Sequence, residues 1–150
     1  ILEPALDGRL RLFEATLDDE PGLQAALQGA RVCVHLATGG GDDWETVQEA
    51  MVNRSRRLAE LCADAEVQRF IYVSSVAALY AGPDAGVSEI DDSYPTDPRP
   101  GARPIYARGK IAAEKSLREF GRRTDREVVV ARPGVGMGAG SWASGSGAVR

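Results

Sequence analysis

The stretch Arg69–Ser75, "RFIYVSS", decides the fold. Its apolar core, Phe70 to Val73, is short, continuous and rich in β-branched and aromatic residues. Such a run fits a strand buried on both faces, as in a parallel sheet. Upstream, "RVCVHLA" (Arg31–Ala37) has the same character and is bounded by "TGGGDD". Downstream, "REVVVARP" repeats it and is stopped by Pro133. Between the first two runs, Val47, Ala50, Met51, Leu58, Leu61 and Cys62 recur near the 3.6-residue period, predicting a helix from Asp42 or Asp43 to about Ala63. Arg54, Arg56, Arg57 and Glu60 mostly fill its solvated face. A Gly-, Pro- and Asp-rich loop, about Gly82 to Arg103, follows the second run. Next comes a helix from near Tyr106 to about Phe120, with Gly121 as its expected C-cap. Near the start, alternation in "RLRLFEATL" (Arg9–Leu17) predicts a further strand. Asp18 or Asp19 caps a short helix with Pro21 in its first turn and Gly29 just past its end. The order β-α-β-α-β-loop-α-β indicates right-handed crossovers and a parallel sheet. Ligands bind such sheets at the carboxyl ends of the strands. Ala37–Gly41, Ser74–Ser75 and Pro133–Gly138 fall there.

The 150 residues fit one domain, with 43% hydrophobic and 27% charged residues. A net charge of −4 argues against a nucleic-acid surface. No apolar run reaches the roughly 20 residues that cross a bilayer, and no secretion signal is visible. Cys33 and Cys62 form no C-x-x-C pair and read as buried or half-buried thiols of a reducing, cytoplasmic compartment. His35 is the only histidine. A metal site would need more ligands, so none is expected. Serine-nucleophile chemistry would want a histidine base, and His35 lies inside a strand-like run.

Tyr106 and Lys110 stand four apart at the start of a helix, so their side chains are neighbours. A free tyrosine, with a pKa of about 10, is too weak an acid to exchange protons readily near neutrality. An adjacent ammonium favours the phenolate and brings the pair toward general acid/base use. Y-x-x-x-K is common on solvated helices and means little alone. Its position is what carries weight: the pair follows a long loop, and that loop follows a strand ending in two serines. A serine hydroxyl there can supply a second donor to a carbonyl or alkoxide oxygen.

With "GARVCVHLAT", Asn53, "VQRFIYVSSVAALY", "YARGK" and "VVVARPGVGMGAG" in this order, nearly the whole chain resembles the extended short-chain dehydrogenase/reductase family, which includes NAD-dependent epimerases and dehydratases. The resemblance implies an α/β, Rossmann-like, doubly wound parallel sheet and an NAD or NADP cofactor. It implies a catalytic trio of Ser75 (before Ser74), Tyr106 and Lys110. Tyr106 would be the acid/base, and Lys110 would hold the nicotinamide ribose hydroxyls and lower the tyrosine pKa. Leu17, Leu36, Ala37, Thr38, Val73, Ser74, Pro133 and Val135 would line the cofactor together with Tyr106 and Lys110. Asn53 matches a helix asparagine whose expected job is bonding neighbouring backbone. The expected partner is a small-molecule substrate, a nucleotide sugar or another hydroxy or keto compound. A homodimer stays open for the full-length protein, with neither nucleic acid nor membrane.

The family's G-x-x-G-x-x-G turn is missing, and "TGGG" (Thr38–Gly41) follows a later strand, so it reads as a flexible loop. Under this resemblance Thr16 stands where the family often has an adenine-contacting Asp. The 150 residues therefore read as a partial dinucleotide-binding domain lacking its first two strands and the substrate-binding part. Such a piece would be unstable alone and would bind dinucleotide poorly, with an exposed edge on "VCVHLA". The leading expectation is an NAD(P)-dependent oxidoreductase or epimerase/dehydratase. The alternatives are a non-catalytic dinucleotide-binding sensor or scaffold, and an inactive fragment.

Overall fold

In the computed structural model the residues described are 10–80, 86 and 89–134. Val135 and the rest of the Gly-rich tail lie outside them, as does most of the first half of the Gly82–Arg103 loop. Three parallel strands form one sheet in the order β1 (Val32–His35), β2 (Arg69–Val73), β3 (Glu127–Ala131). Cys33 pairs with Phe70 and His35 with Tyr72, while Phe70 pairs with Val128 and Tyr72 with Val130. These residues share one face, and the helices cover it. The core holds Leu58, Cys62, Phe70, Tyr72, Leu117 and Phe120, with Cys33, Val128 and Val130 packed against it. Each fully buried Leu or Phe contributes roughly 1.5–3 kcal/mol. The opposite face carries Val32, Val34 and Val129, all exposed. The apolar runs suit burial on both sides, whereas among the described residues helices pack on one.

Helix starts follow local capping. Asp19 accepts the Gly22 N–H ahead of α1 (Glu20–Leu27), and Pro21 sits in its first turn. Asp43 accepts the Thr46 N–H ahead of α2 (Trp44–Val47). The helix continues through a π-helical turn, Gln48–Asn53, into α3 (Arg54–Asp64). Gly29, at φ +74°, closes the α1 end in the left-handed region.

Three expectations change. Residues 10–17 form no strand. Alternation specifies a strand only when a neighbour takes up its backbone groups, and β1 pairs with β2 alone. Helix α4 (Ile105–Thr124) passes through Gly121 and ends one turn later, at left-handed Asp125. Gly121 is required by packing instead: a Cβ there would lie 3.0 Å from the Arg126 carbonyl oxygen and from Val128 Cγ2. Two of the three glycines of "TGGG" are also explained by close approach, Gly40 facing open space. A Cβ on Gly39 would stand 2.3 Å from Ala50 Cβ, and one on Gly41 2.6 Å from Thr46 Cγ2. Cys62 is buried and Cys33 half-buried, and both are free thiols. No helix among the described residues is long and apolar enough to cross a membrane.

Candidate active site

Helix α4 brings the two residues of the Y-x-x-x-K pair to β2. Tyr106 occupies the first turn after Pro104 and is 43% exposed. Lys110, one turn on, is 2% exposed. Its Nζ donates to the Val73 carbonyl at 2.9 Å, at the carboxyl end of β2. The ammonium lies 5.0 Å from the Tyr72 ring centroid and 5.8 Å from that of Tyr106. Burial pushes the Lys110 pKa down, and the charge of Glu114 opposes the shift. Burial pushes Tyr72 up, aided by Glu114 and Tyr106.

Close approach of α4 depends on Gly109. A Cβ there would sit 2.5 Å from Met51 Sδ and 2.8 Å from Val47 Cγ1, both on the helix facing it. Val47 is buried and β-branched, so it cannot yield. A side chain at 109 forces a shift where α4 meets that helix, one residue from Lys110. The contact falls on the π-helical turn, a feature that recurs at functional sites.

The two serines have different surroundings. Ser74 is buried, and its hydroxyl donates to Glu114 Oε1 at 2.6 Å. Ser75 is half-buried and caps the 3₁₀ turn Val76–Ala78, accepting the Ala77 N–H at 3.1 Å. Among the described residues its own proton has no acceptor. That turn packs against α4. At the neighbouring strand ends, Leu36, Ala37 and Thr38 are exposed after β1, and Pro133 is exposed after β3, its carbonyl accepting the Val76 N–H at 3.2 Å. Leu17 is not brought to these ends. It packs against the core and lines a cleft with Arg57, Glu60 and Leu61. Asn53 bonds the Glu49 carboxylate at 2.6 Å on the helix surface, not neighbouring backbone.

Sequence reasoning passed over Glu114, which is 1% exposed and continues the Tyr106–Lys110 face by another four residues. The i, i+4, i+8 spacing was the available signal. It also left His35 without a role. His35 is buried, its Nε2 lies 2.8 Å from Ser55 Oγ, and Ser55 in turn donates to the Met51 carbonyl at 2.6 Å. The serine proton being committed, this network assigns the Nε2–H tautomer.

Burial, and secondarily the Lys110 charge, lower the His35 pKa to about 4. The folded state then refuses a proton that the unfolded chain accepts near pH 6.5, so stability is lost as pH falls from about 6.5 toward 4. Between pH 7 and pH 5 the loss is about 2 kcal/mol. Urea midpoints at the two pH values should show it, and His35→Gln should flatten the difference. An equal pH dependence in the variant would rule His35 out as the cause.

The donors fit a nicotinamide dinucleotide. Lys110 spends one of its three N–H groups on Val73, and the other two are of the kind that can hold ribose-type hydroxyls. The exposed segments after β1 and β3 leave the strand ends open on either side of it.

Comparison with known proteins agrees. The model of the "NAD dependent epimerase/dehydratase family" matches residues 3–149. Cinnamoyl-CoA reductase 2 of Arabidopsis thaliana is 31% identical over 133 residues, covering 87% of this chain and 40% of its own length. The crystal structure of vestitone reductase from alfalfa (Medicago sativa) superposes with a TM-score of 0.66 at 28% identity, over 85% of this chain and 41% of that one. The dTDP-glucose 4,6-dehydratase DesIV of Streptomyces venezuelae, solved with NAD bound, gives 0.68 at 23% identity over 86% and 39% of the two chains, a likeness of fold. The chain spans about two fifths of the length of the curated relatives it matches.

Proposed function

The chain belongs to the NAD-dependent epimerase/dehydratase family, and from that premise we propose that it carries the proton-transfer site of an NAD(P)-dependent carbonyl reductase. The reductase reading is favoured over sugar epimerisation because curated relatives at 29–31% identity are named as reductases, cinnamoyl-CoA reductase and vestitone reductase. The enzymes named for nucleotide sugars or UDP-glucuronic acid resemble the chain at 20–23% identity.

The carrying observation is Lys110: an ammonium withdrawn from water, fixed on the Val73 carbonyl and facing the Tyr106 ring. Burial is unfavourable for that charge, so its position calls for a use. In the proposed reaction Tyr106 gives its phenolic proton to the substrate oxygen as the carbonyl carbon becomes a carbinol. Ser75 donates a hydrogen bond to the same oxygen while charge develops on it. The Lys110 ammonium stabilises the phenolate left behind, and its remaining N–H groups hold cofactor hydroxyls. Leu36, Ala37 and Thr38 would flank the adenosine side and Pro133 the nicotinamide side. The nicotinamide, when bound, supplies the hydride. In the oxidative direction Tyr106 takes the proton from a substrate hydroxyl.

The test is Ser75→Ala in the whole protein, followed by NAD(P)H absorbance and fluorescence titration. Turnover should fall about 10²-fold with cofactor affinity unchanged, the loss expected for one oxyanion donor. Full activity in the variant would remove Ser75 from the reaction. A whole protein that binds neither NADH nor NADPH would remove the reading itself.

A further inference from the structure

Resting on that reading, we propose that Glu114 is the positioning residue of this site: its buried carboxylate ties together the two strand ends and the loop that surround Tyr106 and Lys110. Two close connections converge on it, and one of them carries a third onward to the loop. Just past the end of β2, Ser74 donates at 2.6 Å. From the end of β3, Arg132 donates through Nε at 3.0 and 3.2 Å and through Nη2 at 2.7 Å. Through Nη1, the same guanidinium donates to the Tyr94 carbonyl at 2.7 Å, fastening the loop that precedes α4. Arg118 adds a longer contact of 3.9 Å. The Ser74 and Arg132 ties each end one residue from a proposed site group, since Ser74 precedes Ser75 and Arg132 precedes Pro133. The carboxylate rides on the helix that carries Tyr106 and Lys110.

A merely structural role explains this poorly. A buried ion pair is commonly no more stabilising than apolar side chains of the same volume. What a bidentate carboxylate–guanidinium pair adds is a fixed geometry. It also fixes the direction of Ser74, whose hydroxyl is spent on Glu114, and thereby where Ser75 stands. The charge reaches Lys110 as well. Glu114 and Tyr106 face it from α4, Tyr72 from β2 and His35 from β1. Among these Glu114 supports the ammonium.

The experiment uses the whole protein with Glu114→Gln, which keeps the shape and removes the charge. Turnover should fall about 10²-fold, the scale of a misplacement near 1 Å, with the KM for cofactor little changed. In protein labelled with ¹³C at lysine Cε, the Lys110 titration should move to lower pH. Because the variant leaves Arg132 unpaired, Glu114→Gln/Arg132→Met provides a control that should regain thermal stability without regaining turnover. Ser74→Ala, which alters no charge, should lower turnover about 10-fold on a folded protein. Turnover that returns together with stability in the double variant overturns the proposal, as does wild-type turnover in both Glu114→Gln and Ser74→Ala. If the wild-type protein reduces no carbonyl compound, the functional reading fails separately. The lysine titration still decides the Glu114 claim, and an unmoved signal overturns it.

Discussion

Replacing Tyr106 by Phe is expected to lower turnover by about 10²–10⁴-fold, the usual contribution of a positioned acid or base, and to leave dinucleotide affinity and thermal stability nearly intact. The change deletes one oxygen atom. Among the described residues no hydrogen bond engages that oxygen, and the side chain is 43% exposed. Folding therefore has little to lose, roughly 0.5 kcal/mol or less for such a surface position. The ring, which faces the Lys110 ammonium, is retained. Steady-state consumption of NAD(P)H gives the rate, and quenching of reduced-cofactor fluorescence gives the affinity. Undiminished turnover would take the acid/base role from Tyr106. Turnover and affinity falling together would make it a binding residue.

How much of this was legible in the sequence depended on how locally each feature is encoded. Asp19 and Asp43 cap their helices with bonds to residues three ahead, and both starts were readable. The β2 run is apolar whichever face is covered, so it was readable too. The Tyr106–Lys110 spacing lies within one helical turn. What escaped was set by distant chain. Gly121 resembles a cap until Val128 is laid against it. The 10–17 alternation specifies a strand only beside a partner. The Val73 carbonyl that holds Lys110 is 37 positions away, and the Ser74–Glu114 bond spans 40. Ser74 and Ser75 are equivalent as letters. Only the carboxylate at the first separates a structural hydroxyl from one free to donate.

Lys110→Met should reduce both cofactor affinity and turnover, by about 10–100-fold and about 10²-fold or more respectively. The affinity loss corresponds to charge-assisted hydrogen bonds of roughly 1.5–3 kcal/mol, and the rate loss to an electrostatic donor removed from the reacting region. Its effect on stability should run differently. Burial holds the lysine pKa below its ordinary value, so at neutral pH the folded state carries an unfavourable charge that the methionine lacks. Against this stands the lost bond to the Val73 carbonyl, about 1 kcal/mol. The melting temperature should stay near or above that of the unmodified protein while activity disappears. A further sign comes from His35, whose low pKa owes part of its depression to the same ammonium. With that charge gone, the His35 pKa should rise from about 4 toward its ordinary value, and the stability lost between pH 7 and pH 5 should shrink. A variant that melts early and loses acid sensitivity to no degree would show Lys110 to be a strut of the fold, its charge felt by neither His35 nor Tyr106.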